Sequence, residues 1–317
     1  MTMTEAETST PADEIPPILP EDTMAEAGRK ALHKDFMQFK AYAETLHIAD
    51  YVDVETIHKM RVAARRMRSI FKLLDEYYKP KATLRYRKHL KQLGRSLGAV
   101  RDIDVMLGNL NQYQATVETT AENILSKSAE KLQKQRAKAL KKLWRFLSSK
   151  DHTKFERRFT KFLLTKGKGA HKIDSTTIAP YQVRHVLPVI VQEHLANIKA
   201  YDTVLTDADV DRLHELRIEF KQLRYLITHF QAVLGKSAVT FIDDLTTIQD
   251  HLGEINDLVV AQEYFRGVTG KTKSLKTYIN TMEGKQVEQI QSFAQAWEKF
   301  NTRTVQRRLS DALLVLR

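Results

Sequence analysis

A row of basic groups with helical spacing occurs twice in this 317-residue chain. In the stretch HKMRVAARRMRSIFKLL, a helix at about 100° per residue places His58, Arg61, Arg65, Arg68 and Lys72 within an arc of roughly 80°. With a rise of about 1.5 Å per residue the five groups span roughly 21 Å, one cation or imidazole every turn or so. Met60, Met67, Ile70, Phe71 and Leu74 fall on the far side and read as core. The chemistry such a row offers is anion binding. Arg presents a fixed fork of donors to phosphate oxygens and stays charged, while Lys adds a mobile point charge. A single charged row is more often plain solvated surface. The second copy argues against that here, because LHELRIEFKQLRYLITHF repeats the spacing with His214, Arg217, Lys221 and Arg224, at a constant offset of 156. Leu216, Phe220, Leu223, Ile227 and Phe230 form its apolar back.

The elements that must position these rows are helices. Asp53 is placed to cap the first stripe helix and Pro80 to stop it. The next helix, about residues 83 to 97, carries Arg85, Lys88, Lys91, Gln92 and Arg95 as a further basic stripe. Gly94 and Gly98 are expected to break the chain before Arg101 and Asp102 open another helix. LGAVRDIDV from Leu97 aligns with LGEINDLVV from Leu252, so the whole arrangement reads as duplicated. Lys88, Arg95 and Arg101 correspond to Asp243, Asp250 and Asn256, which predicts an anion site built more from the first half. Asp102 and Asp257, which cannot bind anions while ionised, are assigned support: capping a helix, or holding an arginine. Arg66 lies away from the stripe and is expected to pair elsewhere.

Composition agrees with an all-α chain: 42% hydrophobic and 28% charged, with few Gly and Pro. No cysteine is present, which excludes disulfides, thiolate metal sites and a cysteine nucleophile, and fits a cytoplasmic location. Residues 1–26 carry seven acids and no basic residue, and are expected to be a disordered acidic tail. Without it the chain has 51 basic and 32 acidic side chains, a body that attracts polyanions. The expected divisions are a first helical half over 27–165, a linker over 166–179 and a second half over 180–317. No window is long and apolar enough for a membrane span.

Paired H-x-x-R-x-x-x-[RK]-x-x-R helices, each followed by an L-G-x-x-[RN]-D turn, resemble the conserved-histidine α-helical domain (CHAD) family over roughly residues 27 to 310. The resemblance implies two pseudo-symmetric four-helix-bundle-like halves around a central basic cavity that binds inorganic polyphosphate. By position it carries over to His58, Arg61, Arg65, Arg68, Arg101 and Asp102, and to His214, Arg217, Lys221, Arg224 and Asp257. The same reading adds Lys72, Lys88, Lys91 and Arg95 as polyphosphate ligands. Asn256 departs from the pattern where an arginine would stand. The chain also lacks the acidic E-x-E-x-[KR] motif of a fused triphosphate tunnel enzyme, which points to a stand-alone, non-catalytic binding module, with recruitment to polyphosphate granules as its use. Protonation of His58 and His214 beside a polyanion predicts tighter binding below about pH 6.5.

Nucleic acid, or polyanions generally, are the alternative partners, since basic rows also fit phosphodiester backbones. Little aromatic residue interleaves the stripes, apart from Tyr225. An interaction scaffold for acidic proteins is a third reading. Enzyme motifs fail on inspection. Gly235-Lys236-Ser237 and Gly270-Lys271-Thr272 resemble the end of a phosphate loop, but Phe230 and Phe265 stand where its first Gly is required. No H-E-x-x-H metal motif is present, and no catalytic residue, cofactor or metal is assigned.

Overall fold

The computed structural model describes residues 15–48, 53–114, 122–174, 176, 179–205, 209–268 and 273–316. Among these, ten α-helices form an all-α fold: α1 (Met24–Ile48), α2 (Val54–Leu73), α3 (Pro80–Gln114), α4 (Glu122–Leu147), α5 (Lys150–Leu164), α6 (Val183–Ala200), α7 (Val210–Phe230), α8 (Ser237–Val268), α9 (Lys273–Phe300) and α10 (Arg303–Leu313). Five precede and five follow the connection at 165–182, so each side adds a short fifth helix to the four expected.

Local sequence explains the stripe helices. The Asp53 carboxylate accepts from the Thr56 amide and Asp209 from that of Arg212, each satisfying an N–H that a first turn leaves orphaned. Ile57, Met60, Met67, Ile70 and Phe71 bury the back of α2, and Leu213, Leu216, Phe220, Leu223 and Ile227 that of α7. α2 packs directly on α7, bringing the two basic rows together. A second, smaller cluster of Met106, Leu110, Leu132, Ala261, Phe265, Tyr278 and Met282 joins α3, α4, α8 and α9, and the Tyr264 hydroxyl donates to Gln135 across α8 and α4 at 2.9 Å.

Several boundaries differ from expectation. α2 ends at Leu73, and Pro80 opens α3 instead of ending α2: its missing N–H and fixed φ cost nothing in a first turn. Gly94 and Gly98 do not break α3, which runs unbroken for 35 residues. Gly94 admits a side chain of α2, since a Cβ there would sit 2.9 Å from an Arg68 guanidinium nitrogen, whereas a Cβ on Gly98 would meet Arg61 Nε at an ordinary contact distance of 3.9 Å. Residues 15–26, expected to belong to a disordered acidic tail, are instead packed on the helices. Ile18 and Met24 are buried, Glu26 forms a buried ion pair with Arg29 (2.6 Å), and Asp22 a partly buried one with Lys30 (2.7 Å). The Val183 amide donates to the Asp22 carbonyl at 2.8 Å, tying this segment to α6. Residues 1–14 lie outside the described ones. Part of the expected linker is pinned as well, with the Lys79 amide donating to Gly169 and the His171 amide to Tyr77.

Candidate anion-binding cavity

A cavity of about 850 Å³ opens between α2, α3, α7 and α8. α2 contributes His58, Arg61 and Arg65; α7 contributes His214, Arg217, Lys221 and Arg224; α3 adds Arg101. Eight of the thirteen expected ligands therefore line one cavity, four from each half of the chain, where a site built more from the first half was expected. The two stripes face each other because their apolar backs bury in a shared core, leaving the basic faces to line the gap.

The cations in the cavity are crowded and few of them are directly paired. Among the described residues, no carboxylate lies within ion-pair distance of Arg65, Arg101, Arg217, Lys221 or Arg224, and Arg61 meets Asp102 only at 3.8 Å. Burial, followed by Arg217, Arg65, Lys72 and Arg61, pushes the Lys221 ammonium down to about 8. Burial also lowers Arg65, with Tyr225 offsetting part and Arg61, Arg224 and Arg217 adding to the fall. His58 is held below the usual imidazole range by burial first and Arg101 next. Arg65 Nε, His58 Nδ1 and Gln249 Nε2 are buried without a hydrogen-bond partner among the described residues. Unpaired buried donors are costly, and an incoming acceptor oxygen would relieve that cost.

Other residues shape the site. Tyr225, only 4% exposed, lies between the stripes, its ring centroid 5.3 Å from the Arg65 guanidinium carbon and 5.5 Å from that of Arg224. Arg224 Nε donates to Gln249 at 2.7 Å, and His214 Nδ1 lies 2.9 Å from the Asn256 amide oxygen. Asn256 thus orients a histidine where an arginine ligand was conceivable. Tyr225 and Gln249 were not assigned from sequence; Tyr225's place beside Arg224 was the one signal available for either. Asp102, in mid-helix, caps nothing; it faces Arg61, and partial desolvation among its neighbours, with Asp257 adding and Arg61 opposing, raises its pKa. Asp257 lines the cavity as well, along with Asp250 and Glu254, and all four carboxylates are exposed.

Five expected ligands do not line this cavity: Arg68, Lys72, Lys88, Lys91 and Arg95 are all exposed. Arg68 extends over Gly94, and Lys72 lies one turn further along α2, close enough to depress Lys221. Lys88 lies roughly 140° from Arg101 around the helix axis, so an unbroken α3 turns the two to different sides. Arg66 leaves the stripe to meet buried Asp35, Nε to Oδ1 3.1 Å, as expected of a residue off the row.

Comparison with known proteins agrees with this architecture. The structure is similar to the crystal structure of the CHAD domain from the plant Ricinus communis, with a TM-score of 0.65, 21% identity and 96% of each chain covered. PptA from Streptomyces chartreusis is similar at a TM-score of 0.65 and 13% identity, covering 87% of this chain and 99% of that one. No curated protein matches the sequence. The family model described as CHAD domain matches residues 30–266, which span both stripe helices and every residue lining the cavity, and the chain belongs to the CHAD domain family.

Proposed function

We propose that this protein binds inorganic polyphosphate in the cavity between α2, α3, α7 and α8, as a non-catalytic module. The observation that carries this reading is the convergence of Arg61, Arg65, Arg101, Arg217, Lys221 and Arg224 on one space in which, among the described residues, only Arg61 lies within ion-pair distance of a carboxylate, although Asp102, Asp250, Glu254 and Asp257 also line it. A chain of phosphates offers equivalent oxygens at each link, so forked guanidiniums on two facing helices can hold it in any register. Membership of a family associated with polyphosphate supports the same ligand. Among the described residues, no Phe, Tyr or Trp lines the cavity as a platform on which successive bases could stack, which favours polyphosphate over nucleic acid. Among the described residues no helix is long and apolar enough to cross a membrane.

The test is a titration of the full chain with polyphosphate. Arg217→Gln with Lys221→Gln is expected to weaken binding at least about a hundredfold, two charge-assisted contacts at about 1.5 kcal/mol or more each, with the circular dichroism spectrum kept. Polyphosphate should also displace a labelled oligonucleotide far better than the reverse at equal phosphate concentration. Equal exchange would make the protein a general polyanion binder, and unchanged affinity in the double variant would move the site elsewhere. Recruitment of a fluorescent fusion to polyphosphate granules, lost in the same variant, tests the cellular use.

A further inference from the structure

On the side of α3 turned away from the cavity, Arg85, Lys88 and Gln92 face Lys142 and Arg145 of α4 across a groove of about 610 Å³. Its end is closed by the first turn of α5, where Ser149 caps the helix by accepting from the His152 amide. Among the described residues, none of the four cations has a carboxylate within ion-pair distance. Asp151 is the one acid in the lining. His89 forms part of the wall, stacked on Phe155 with ring centroids 4.0 Å apart and bonded to His152 at 2.9 Å. Burial, then His152, pushes it down to about 4, so it adds a rigid wall and no charge at neutral pH. Lys91 and Arg95 of α3, and Lys134, Lys138 and Lys141 of α4, extend the exposed basic surface on these two helices.

Two guanidinium forks, two ammonium groups and the positive end of a 15-residue helix in one groove make a receptor for a multiply charged anion with oxygens in several directions. We infer that this groove is a second oligophosphate site, separate from the cavity, and that the chain is therefore bivalent toward polyphosphate. The bivalency rests on the cavity reading above; the groove does not. Bivalency changes what the protein does with a long polymer. Two sites on opposite sides of α3 can engage different polymer chains, so mixing protein with long polyphosphate builds a cross-linked network instead of a one-to-one complex.

Calorimetry with tripolyphosphate, and light scattering with long-chain polyphosphate, separate the possibilities. The unaltered chain is expected to take up about two tripolyphosphates and to scatter strongly with the long polymer. Lys142→Glu with Arg145→Glu, both exposed on α4, should bring the stoichiometry to about one and abolish the scattering while helicity is kept. Arg217→Gln with Lys221→Gln should also leave about one site, the groove. A charge-matched control, Lys299→Glu with Arg303→Glu, should keep both sites. The groove is refuted if the α4 variant keeps two sites, or if the control loses as much as the α4 variant does. Loss of one site in the α4 variant but none in the cavity variant would uphold the groove and overturn the cavity.

Discussion

At Lys221 the consequence of packing cations together is directly testable, because its ammonium, pushed down to about 8, loses charge where an ordinary lysine would not. A bound polyanion favours the charged form, so the complex keeps a proton that the free protein gives up. Affinity should therefore be flat below about pH 8 and fall as pH rises toward about 10, and Lys221→Arg should remove the fall because guanidinium stays protonated there. Titrations across that range, with Kd plotted against pH, decide it. His58 works in the opposite window. Its depression means the free imidazole is neutral at pH 7, and a polyanion would pull the value back up. The gain in affinity from its protonation then lies between the lowered free value and the raised bound one, reaching further into acid than the ordinary imidazole value suggests, and His58→Gln should flatten it.

At the scale of single helices, α2 is fixed by its cap and its apolar back more than by the residues that touch a ligand. Asp53 accepts from both the amide and the hydroxyl of Thr56. Asp53→Ala should lower stability by about 1 kcal/mol, read as a fall in Tm, while leaving polyphosphate affinity within about threefold. Arg61 and Arg65 sit beyond the first turn and are held from behind by Met60, Ala64 and Met67, each fully buried. Helix α3 shows the limit of local reading. Two glycines within an otherwise periodic stretch signal a break by composition, yet glycine is tolerated in a helix interior, and here Gly94 makes room for Arg68. The continuity of α3 then decides that Lys88 and Arg101 serve different surfaces.

For the molecule as a whole, binding should be dominated by charge. The logarithm of the polyphosphate affinity should fall linearly with the logarithm of salt concentration, and Arg217→Gln should reduce the slope by about one, as for loss of one phosphate contact. A slope unchanged by this substitution would mean that Arg217 does not touch the polymer. The cavity exists because two apolar clusters bracket it: the main core holds the backs of α2 and α7, and Met106 and Ala261 of the smaller cluster also line the opening. Neither half contains the site alone.

The repeated spacing of His58, Arg61, Arg65 and of His214, Arg217, Lys221, Arg224 was legible in the sequence because helical periodicity is a local property: 3.6 residues per turn puts them on one face wherever the helix lies. The cores of α2 and α7, and the capping role of Asp53, follow from the same local rules. What a wheel cannot show is which part of a long stripe a neighbouring helix covers. Arg68 and Lys72 share the stripe of Arg61 and Arg65 but not the cavity, and Lys88, Lys91 and Arg95 lie outside it too. Tyr225 and Gln249, two side chains that hold arginines in place, became recognisable only once α2, α7 and α8 were packed together, because those contacts join residues far apart in the chain.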